Sequence, residues 1–376
     1  MNSLKQYFLL DPTVTFLNHG SFGACPIPVF ETYQNWQREL ERQPVEFLGR
    51  RADELLAEAR AKLGMYLNAN LEDLVFVPNA TIGINTVVRS LQLNVDDEVL
   101  TTNQEYGALD NAWTFMCQKT GAHYIKQQMK LPVTNHDDFV DAFWTGVTPH
   151  TKVIYISHIT SPTALIFPVK EICRRAKAAG ILTVVDGAHV PGQLPLDLTD
   201  LDVDFYSGNL HKWLCAPKGT GFLYVRRELH HLVEPLVVSW GWTDDASFVT
   251  QNQWQGTRDI SGFLSVPAAI EFQQKHNWDK VRADCHALAS EARGRIAELT
   301  GVEPIAPDST EWFSQMVMCP LPPCDVIELK RRLYDEHRIE LPHITWNDGA
   351  AIRISFQGYN SADDLGRLLT ALKALL

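Results

Sequence analysis

Asp186 and Lys212, which each follow a buried strand in the sequence, are the first candidates for chemistry. Asp186 ends the apolar run ILTVVD (181–186), and Lys212 comes shortly after the run VDFYS (203–207). Ligands of open α/β sheets bind outside the carboxyl ends of the strands, so both side chains are expected at one site. Taken alone, such an Asp is equally well a helix cap or an ion-pair partner, and such a Lys is usually a solvated charge.

The combination of this Lys with this Asp has a chemical meaning. A lysine amine can form a Schiff base with an aldehyde cofactor. Pyridoxal phosphate needs that lysine, together with an anionic partner for its pyridine nitrogen. The pair Asp186 and Lys212 therefore predicts a pyridoxal phosphate enzyme, in which the carboxylate keeps the ring nitrogen protonated.

The phosphate of such a cofactor needs hydrogen-bond donors of its own. The segment VPNATIGIN places Ala80 and Thr81 between a strand and a helix, where backbone N–H groups and the Thr hydroxyl suit a dianion. Simple N-capping of the helix is the alternative explanation of this segment. Ser207 and His211 flank the lysine loop and are further candidate phosphate donors.

The elements that must position these residues are typical of an α/β fold. Short apolar runs alternate with helical or Gly-bounded segments, and continuous apolar strands in such an order indicate a parallel sheet covered on both faces. The strands are predicted at 73–79, 97–106, 152–157, 181–186, 203–207 and 221–227, and the helices at 80–91 and 170–180.

The character of the chain changes beyond Ser261. Residues 262–299 are predicted as one long helical stretch, and 312–319 and 351–356 as strands of a separate sheet. The last residues form an amphipathic helix that Ser361 can cap. This pattern predicts a smaller C-terminal α+β domain.

Composition excludes several classes of function. The 33 basic and 45 acidic residues give a net charge of −12, which argues against binding of nucleic acid and of anionic membranes. No apolar run approaches the ~18 residues of a membrane span, and the apolar block at 7–10 is too short for a secretory signal. An odd number of cysteines, seven, predicts a cytoplasmic protein with reduced thiols. Their spacing gives no metal site.

Longer motifs give a resemblance to a known family. The segment VVDGAHVPG…DFYSGNLHKWLCAPKGTGFLYV resembles the class V aminotransferases of pyridoxal phosphate fold type I. FLNHGSFGACP, EYGA and ISHITSPTALIFP resemble the isopenicillin N epimerase-like branch. The resemblance implies an N-terminal segment at 1–20 on the substrate side, a large cofactor-binding domain at 21–258 with a mostly parallel seven-stranded sheet, and a small domain at 259–376.

The resemblance also implies a role for each matching residue. Lys212 would carry the cofactor and the Cα proton, Asp186 would pair with the ring nitrogen, His189 would lie beside the ring and Tyr106 would stack on it. The implied phosphate contacts are Ala80, Thr81, Ser207 and His211. Ser161 falls where many relatives have an Asn near the ring hydroxyl, and Thr163 is a substitute candidate.

Substrate and subunit contacts are implied in the same way. Arg353 matches the arginine that binds the α-carboxylate of the substrate, for which a planar guanidinium gives a two-point contact. Asn18 and His19 would line the substrate side. Gly256 and Thr257 match a loop that reaches the phosphate of a neighbouring subunit, which implies a homodimer.

Two reactions share all these residues. An epimerase reprotonates the Cα carbanion on its other face, with Tyr106, His189 or His19 as the second acid. A C–S lyase expels a β-substituent from the same carbanion. The loop at 341–353 contains no Cys, which disfavours a persulfide mechanism. The resemblance favours the epimerase.

Overall fold

The computed structural model describes residues 4–243, 245–346 and 349–376. Its strands, in chain order, are β1 (Thr15–Phe16), β2 (Leu74–Val77), β3 (Glu98–Thr102), β4 (His123–Gln127), β5 (Thr151–Ser157), β6 (Leu182–Asp186), β7 (Phe205–Asn209), β8 (Gly221–Val225), β9 (Met316–Leu321), β10 (Ile339–Glu340), β11 (His343–Trp346) and β12 (Gly349–Ser355).

The α-helices lie between these strands and at the end of the chain. They are α1 (His19–Phe22), α2 (Ile27–Arg42), α3 (Pro44–Glu46), α4 (Ala52–Leu67), α5 (Ala80–Ser90), α6 (Gly107–Thr120), α7 (His136–Trp144), α8 (Val169–Ala178), α9 (Leu198–Leu201), α10 (Phe248–Gln253), α11 (Ser261–Leu264), α12 (Val266–Lys275), α13 (Trp278–Thr300), α14 (Val326–His337) and α15 (Ala362–Leu375). Among the described residues, no helix is long and apolar enough to cross a bilayer.

Seven strands form the central sheet, in the order β2-β8-β7-β6-β5-β3-β4. Strand β8 runs antiparallel to both of its neighbours, and all other pairs are parallel. The predicted α/β fold with a mostly parallel seven-stranded sheet is confirmed.

Both faces of this sheet are buried, as its continuous apolar strands predict. Successive residues of β6 point to opposite faces: Val184 packs in one apolar cluster with Ile84 of α5, and Val185 in another with Ile172 of α8. Because helices cover both faces, the open edge of the sheet at its carboxyl ends is where polar side chains remain accessible.

A smaller antiparallel sheet, β11-β12-β9, follows in the C-terminal part. Helix α13 packs on β9 and α15, whereas α12 packs on α2 and α4. Strand β1 pairs with β10, so the N-terminal segment is joined to the C-terminal part. The division of the chain at 258 stays a prediction.

The predicted helical stretch at 262–299 is three helices rather than one. Pro267 lies in the first turn of α12, and Asn277, with a left-handed φ of 48°, separates α12 from α13. The strand predicted at 312–319 is displaced towards the C-terminus and forms as β9.

Candidate active site

A cavity of about 440 Å³ opens at the carboxyl ends of the parallel strands. Ser157, Asp186 and Asn209, the last residues of β5, β6 and β7, line it side by side. Lys212 enters from the β7–β8 connection, and Arg353 enters from β12 of the smaller sheet. A larger cavity of about 680 Å³ beside Arg60 and Trp254 contains none of the predicted site residues.

Asp186 is held rigidly at the edge of the sheet. It is 4% exposed, and its Oδ1 accepts the backbone N–H of Ala188 at 2.9 Å. Its Oδ2 has no donor among the described residues, so one carboxylate oxygen is left for a ligand. Burial raises the pKa of this carboxyl, while the Ala188 N–H and the charge of Lys212 oppose the rise.

The amine of Lys212 lies next to the ring of His189. The distance from Lys212 Nζ to His189 Nε2 is 3.2 Å, and the indole Nε1–H of Trp213 donates to His189 Nδ1 at 3.3 Å. Burial, and then the charge of Arg353, lowers the pKa of Lys212. A buried amine with a lowered pKa is a better nucleophile at neutral pH than a surface lysine.

Arg353 is a buried cation without an anionic partner in the described chain. It is 4% exposed, and its Nη1 donates to the carbonyl oxygen and hydroxyl of Ser161 at 2.6 and 3.1 Å. Its Nη2 donates to the Ser21 hydroxyl at 3.2 Å, and its Nε has no partner in the part of the chain that the structure describes. Burial lowers the pKa of Arg353 to about 10, so the guanidinium is still charged at neutral pH.

The N-terminus of α5 forms the other end of the cavity. Asn209 Oδ1 accepts the N–H of Ala80 at 2.8 Å, and Asn79 Oδ1 accepts the N–H of Ile82 at 3.0 Å. Among the described residues, the N–H and hydroxyl of Thr81 make no hydrogen bond, and these donors are therefore free for an anion.

His211 and Lys218 also lie at this end of the cavity. His211 Nδ1 donates to the Thr220 carbonyl at 2.8 Å, and its Nε2 has no hydrogen-bond partner among the described residues. Burial lowers the pKa of His211 to about 4. Lys218 has no ion-pair partner in the part of the chain that the structure describes.

Tyr106 lines the cavity from the start of α6, where it is the N-cap residue. Its side chain is 43% exposed, and its hydroxyl has no partner among the described residues. Strands β6 and β5 lie between β7, which precedes Lys212, and β3, which precedes Tyr106. The two side chains therefore approach the cavity from different sides.

Two of the predicted phosphate donors, Ser207 and Ala80, have their polar groups bonded within the protein. Ser207 is fully buried and its hydroxyl donates to the Phe222 carbonyl at 2.7 Å. The strand predicted to end at Ser207 continues to Asn209, so Asn209 is the residue at the edge of the sheet. Ala80 lines the cavity, but its N–H is already bonded to Asn209.

His19 and Asn18 are structural contacts near the site rather than lining residues. The ring nitrogens of His19 lie 2.9 Å from the Tyr359 hydroxyl and 2.9 Å from the Lys212 carbonyl oxygen, and burial lowers its pKa to about 3. Asn18 bonds Glu340 and accepts from the Ser21 hydroxyl at 2.5 Å.

Ser161 and Thr163, the two residues predicted near the ring hydroxyl of the cofactor, have other partners in the structure. Ser161 lines the cavity, but it is an acceptor for Arg353. Thr163 is buried, and its hydroxyl bonds Gln104 and Thr160 away from the cavity. Arg353 therefore holds Ser161 on the substrate side.

The loop with Gly256 and Thr257 is not part of this chain's cavity. Gly256 has a φ of 97°, which favours glycine, and Thr257 is exposed. Within the described residues Thr257 makes no hydrogen bond.

Sequence reasoning missed Asn209, Ser21 and Glu105. Glu105 is buried behind Ser157, from whose N–H and hydroxyl it accepts at 2.8 and 2.5 Å, and burial raises its pKa to about 8. Asn209 could have been found by extending the predicted strand by two residues, from Ser207 to Asn209. No local signal marks Ser21 or Glu105, since both act through residues distant in sequence.

These residues fit pyridoxal phosphate. Within the described residues, Asp186 offers an oxygen without a donor, Lys212 offers a buried amine, and Thr81 offers unpaired donors at a helix start. The three groups lie around one cavity, as the ring nitrogen, aldehyde and phosphate of one cofactor require.

Comparison with known proteins agrees with this geometry. The family model "Aminotransferase class-V" matches residues 27–368. Isopenicillin N epimerase of Amycolatopsis lactamdurans is 36% identical, over 99% of this chain and 97% of that protein. The probable chloroplastic L-cysteine desulfhydrase of Arabidopsis thaliana is 29% identical, over 97% of this chain and 84% of that protein.

Solved structures support the fold. A C-DES mutant with glycine covalently linked to its PLP cofactor superposes with a TM-score of 0.86, at 21% identity, over 98% of both chains. That protein has the same arrangement of sheet and helices, which establishes pyridoxal phosphate fold type I for this chain.

Proposed function

The chain belongs to the class V aminotransferase family of pyridoxal phosphate-dependent enzymes, and from this premise we propose that it inverts the configuration at the α-carbon of an amino acid. The proposal is supported by the 36% identity to an isopenicillin N epimerase over nearly the whole chain. That likeness is greater than the 29% identity to a cysteine desulfhydrase.

The observation that carries the substrate class is the buried guanidinium of Arg353. A buried charge without a counter-charge is unfavourable by several kcal/mol, so its retention indicates an anionic ligand. Among the described residues, its Nε is unpaired, and its two other nitrogens contact neutral oxygens of Ser161 and Ser21. The α-carboxylate of an amino acid matches this planar group.

The cofactor, when bound, supplies an electron sink that stabilises negative charge at Cα. Asp186 would hold the ring nitrogen of the cofactor through Oδ2, and Thr81 would hold the phosphate through its N–H and hydroxyl. Lys212 removes the proton from Cα with its Nζ, since burial favours the neutral amine.

Inversion requires a second proton donor on the other face of Cα. Tyr106 is our candidate for this donor, because it lines the cavity together with Lys212 and its hydroxyl has no partner among the described residues. His19 is unsuitable, since both of its ring nitrogens are occupied away from the cavity.

A C–S lyase is the second candidate, favoured by the cysteine desulfhydrase relative. It needs no second acid at Cα, only a substrate with a leaving group at Cβ. No cysteine is among the described residues that line the cavity. Burial raises the pKa of Cys25 to about 12, which keeps that thiol protonated. Persulfide chemistry therefore has no support in this site.

We also propose a homodimer in which Thr257 reaches the phosphate site of the second subunit. The proposal is supported by the exposure of Thr257 and by two exposed apolar side chains earlier in the chain, Val238 and Trp240, which are 68% and 90% exposed. Sedimentation is expected to give twice 42.4 kDa, and Thr257→Ala is expected to weaken cofactor binding. A fully active monomer contradicts the proposal.

A cytoplasmic location is proposed from the cysteines, all seven of which are free in the described chain. Thiol titration of denatured enzyme purified without reductant is expected to count seven thiols per chain. A native disulfide contradicts this location.

The reaction itself is tested by product analysis. Holoenzyme is incubated with L-amino acids that lack a β leaving group, and in parallel with L-cysteine and L-cystine. Chiral chromatography is expected to show D-enantiomer from the first group, and none with Lys212→Ala. Pyruvate and ammonia from the second group without any D-enantiomer from the first contradict the epimerase and support the lyase.

A further inference from the structure

Trp213, the residue after Lys212, makes a directional contact that fixes where the proton of His189 lies. Its side chain is fully buried, and its indole Nε1 lies 3.3 Å from His189 Nδ1. An indole nitrogen is a donor only. His189 Nδ1 must therefore present a lone pair, and the single proton of the neutral ring must lie on Nε2.

The other ring nitrogen then sets the direction of the contact with Lys212. His189 Nε2 is 3.2 Å from Lys212 Nζ, and with a proton on Nε2 the ring is the donor and the amine is the acceptor. The reverse arrangement, with an ammonium donating to Nε2, would place two hydrogens between Trp213 and His189. The chain of donors runs in one direction, from Trp213 through His189 to Lys212.

The surroundings oppose a second proton on the ring. Among the titratable groups that act on His189, the largest effects are those of Lys212, Arg353, His19 and His211, and all four are cationic when protonated. Burial and these charges hold the pKa of His189 well below its ordinary value. The His189 ring therefore carries a single proton, on either Nδ1 or Nε2, and its contacts with Trp213 and Lys212 decide which of the two tautomers forms.

We propose that Trp213 is a positioning residue that locks His189 in the Nε2–H tautomer, so that His189 donates a hydrogen bond towards Lys212 but cannot accept its proton. The consequence for catalysis rests on the proposed function. A proton that Lys212 removes from Cα stays on Lys212 instead of passing to His189, and His189 is not the second acid.

The matched substitutions are Trp213→Phe and Trp278→Phe. Each removes one buried indole N–H, but that of Trp278 donates to the Gly192 carbonyl at 2.8 Å and does not contact His189. Trp213 also packs against the ring of His19, with centroids 5.0 Å apart, so a loss of stability alone would not identify its role.

The tautomer is read by NMR of holoenzyme labelled with ¹⁵N-histidine, in which ¹⁵N shifts separate protonated from bare ring nitrogens. The His189 signals are those that disappear in His189→Gln. The wild type and Trp278→Phe are expected to show a bare Nδ1 and a protonated Nε2. Trp213→Phe is expected to shift the Nδ1 resonance towards the protonated form.

A protonated Nδ1 in the wild type overturns the proposal, and so does a Trp213→Phe spectrum that is identical to the wild type. If Trp213→Phe does not fold, the wild-type spectrum alone still decides. The NMR measurement and the product assay can fail separately. If no D-enantiomer forms, the tautomer measurement is still valid, and if the tautomer is wrong, the product assay is still valid.

Discussion

The surroundings of Arg353 in the cavity differ from those of the cations on the surface helix α14. On α14, Arg331 donates to both carboxylate oxygens of Glu328 at 2.7 and 2.8 Å and to Asp335 at 2.9 Å. In the cavity, Arg353 has no carboxylate within ion-pair distance in the described chain, although it is buried and still charged at neutral pH.

The difference separates charged residues that are paired within the protein from charged residues that are available to a ligand. Exposed ion pairs contribute little to stability, and their loss is tolerated. Buried charges without partners are unfavourable, so a protein that retains them uses them for a molecule that brings the opposite charge. The α-carboxylate of an amino acid substrate would bring that opposite charge to Arg353.

The largest effect is expected for Lys212→Ala. Without the amine no covalent link to the cofactor forms, so the visible absorption band of the bound cofactor and the activity are both lost. Lys170→Ala, which removes a surface cation paired with Asp200 at 2.6 Å, is the control and leaves both unchanged. A Lys212→Ala enzyme that still forms a borohydride-reducible link to the cofactor contradicts the assignment.

Asp186→Asn tests the anionic side of the cavity. The amide cannot hold the ring nitrogen protonated, and the electron sink is weakened. The turnover rate is expected to fall roughly 10²-fold or more, as for other preorganised electrostatic groups. Asp200→Asn is the matched surface control. Near-normal turnover of Asp186→Asn would show that the ring lies elsewhere.

Arg353→Lys keeps the charge but loses the planar two-point contact. Removing one charged hydrogen bond costs about 1.5–3 kcal/mol, so KM is expected to rise roughly 10- to 100-fold. Cofactor binding, measured by absorbance titration, stays near that of the wild type. An unchanged KM would mean that the substrate carboxylate binds at another residue.

The pH dependence of cofactor capture reports on Lys212 directly. The amine adds to the aldehyde only when it is deprotonated, and its lowered pKa moves that condition to lower pH. The rate at which apoenzyme binds pyridoxal phosphate is expected to rise with pH, with a midpoint below the ~10.4 of an ordinary lysine. Stopped-flow absorbance measures the profile, and a midpoint at or above the ordinary value contradicts the burial effect.

The smallest effect is expected for Arg331→Ala. Its guanidinium and its partners are solvated, so kcat/KM and the melting temperature are expected to stay within experimental error. Thermal unfolding and steady-state kinetics measure both. A loss comparable to that of Arg353→Lys would remove the distinction between the two regions.

The sequence predicted the position of the candidate site residues where reactive side chains follow an apolar strand. Asp186 and Lys212 could be placed at one edge because continuous apolar runs define parallel strands, and ligands bind at their carboxyl ends. The same reasoning placed Ser207 at the edge in error, since the strand continues for two residues to Asn209.

Contacts between distant segments could not be read from the pattern. Arg353 was assigned from family resemblance, but its contacts with Ser21 and Ser161 depend on how the N-terminal segment and the smaller sheet pack. His19 matched a motif expected on the substrate side. Its position against Tyr359 and the Lys212 carbonyl follows from tertiary packing alone.

Isotope exchange at Cα tests the central claim, inversion of an amino-acid centre, most directly. Holoenzyme is incubated in D₂O with an L-amino acid that lacks a β leaving group, and both enantiomers are analysed by chiral separation and mass spectrometry. The account predicts D-product that carries deuterium at Cα, with no keto acid formed. Recovery of the L-amino acid without D-enantiomer, together with pyruvate and a released thiol from cysteine derivatives, would contradict it.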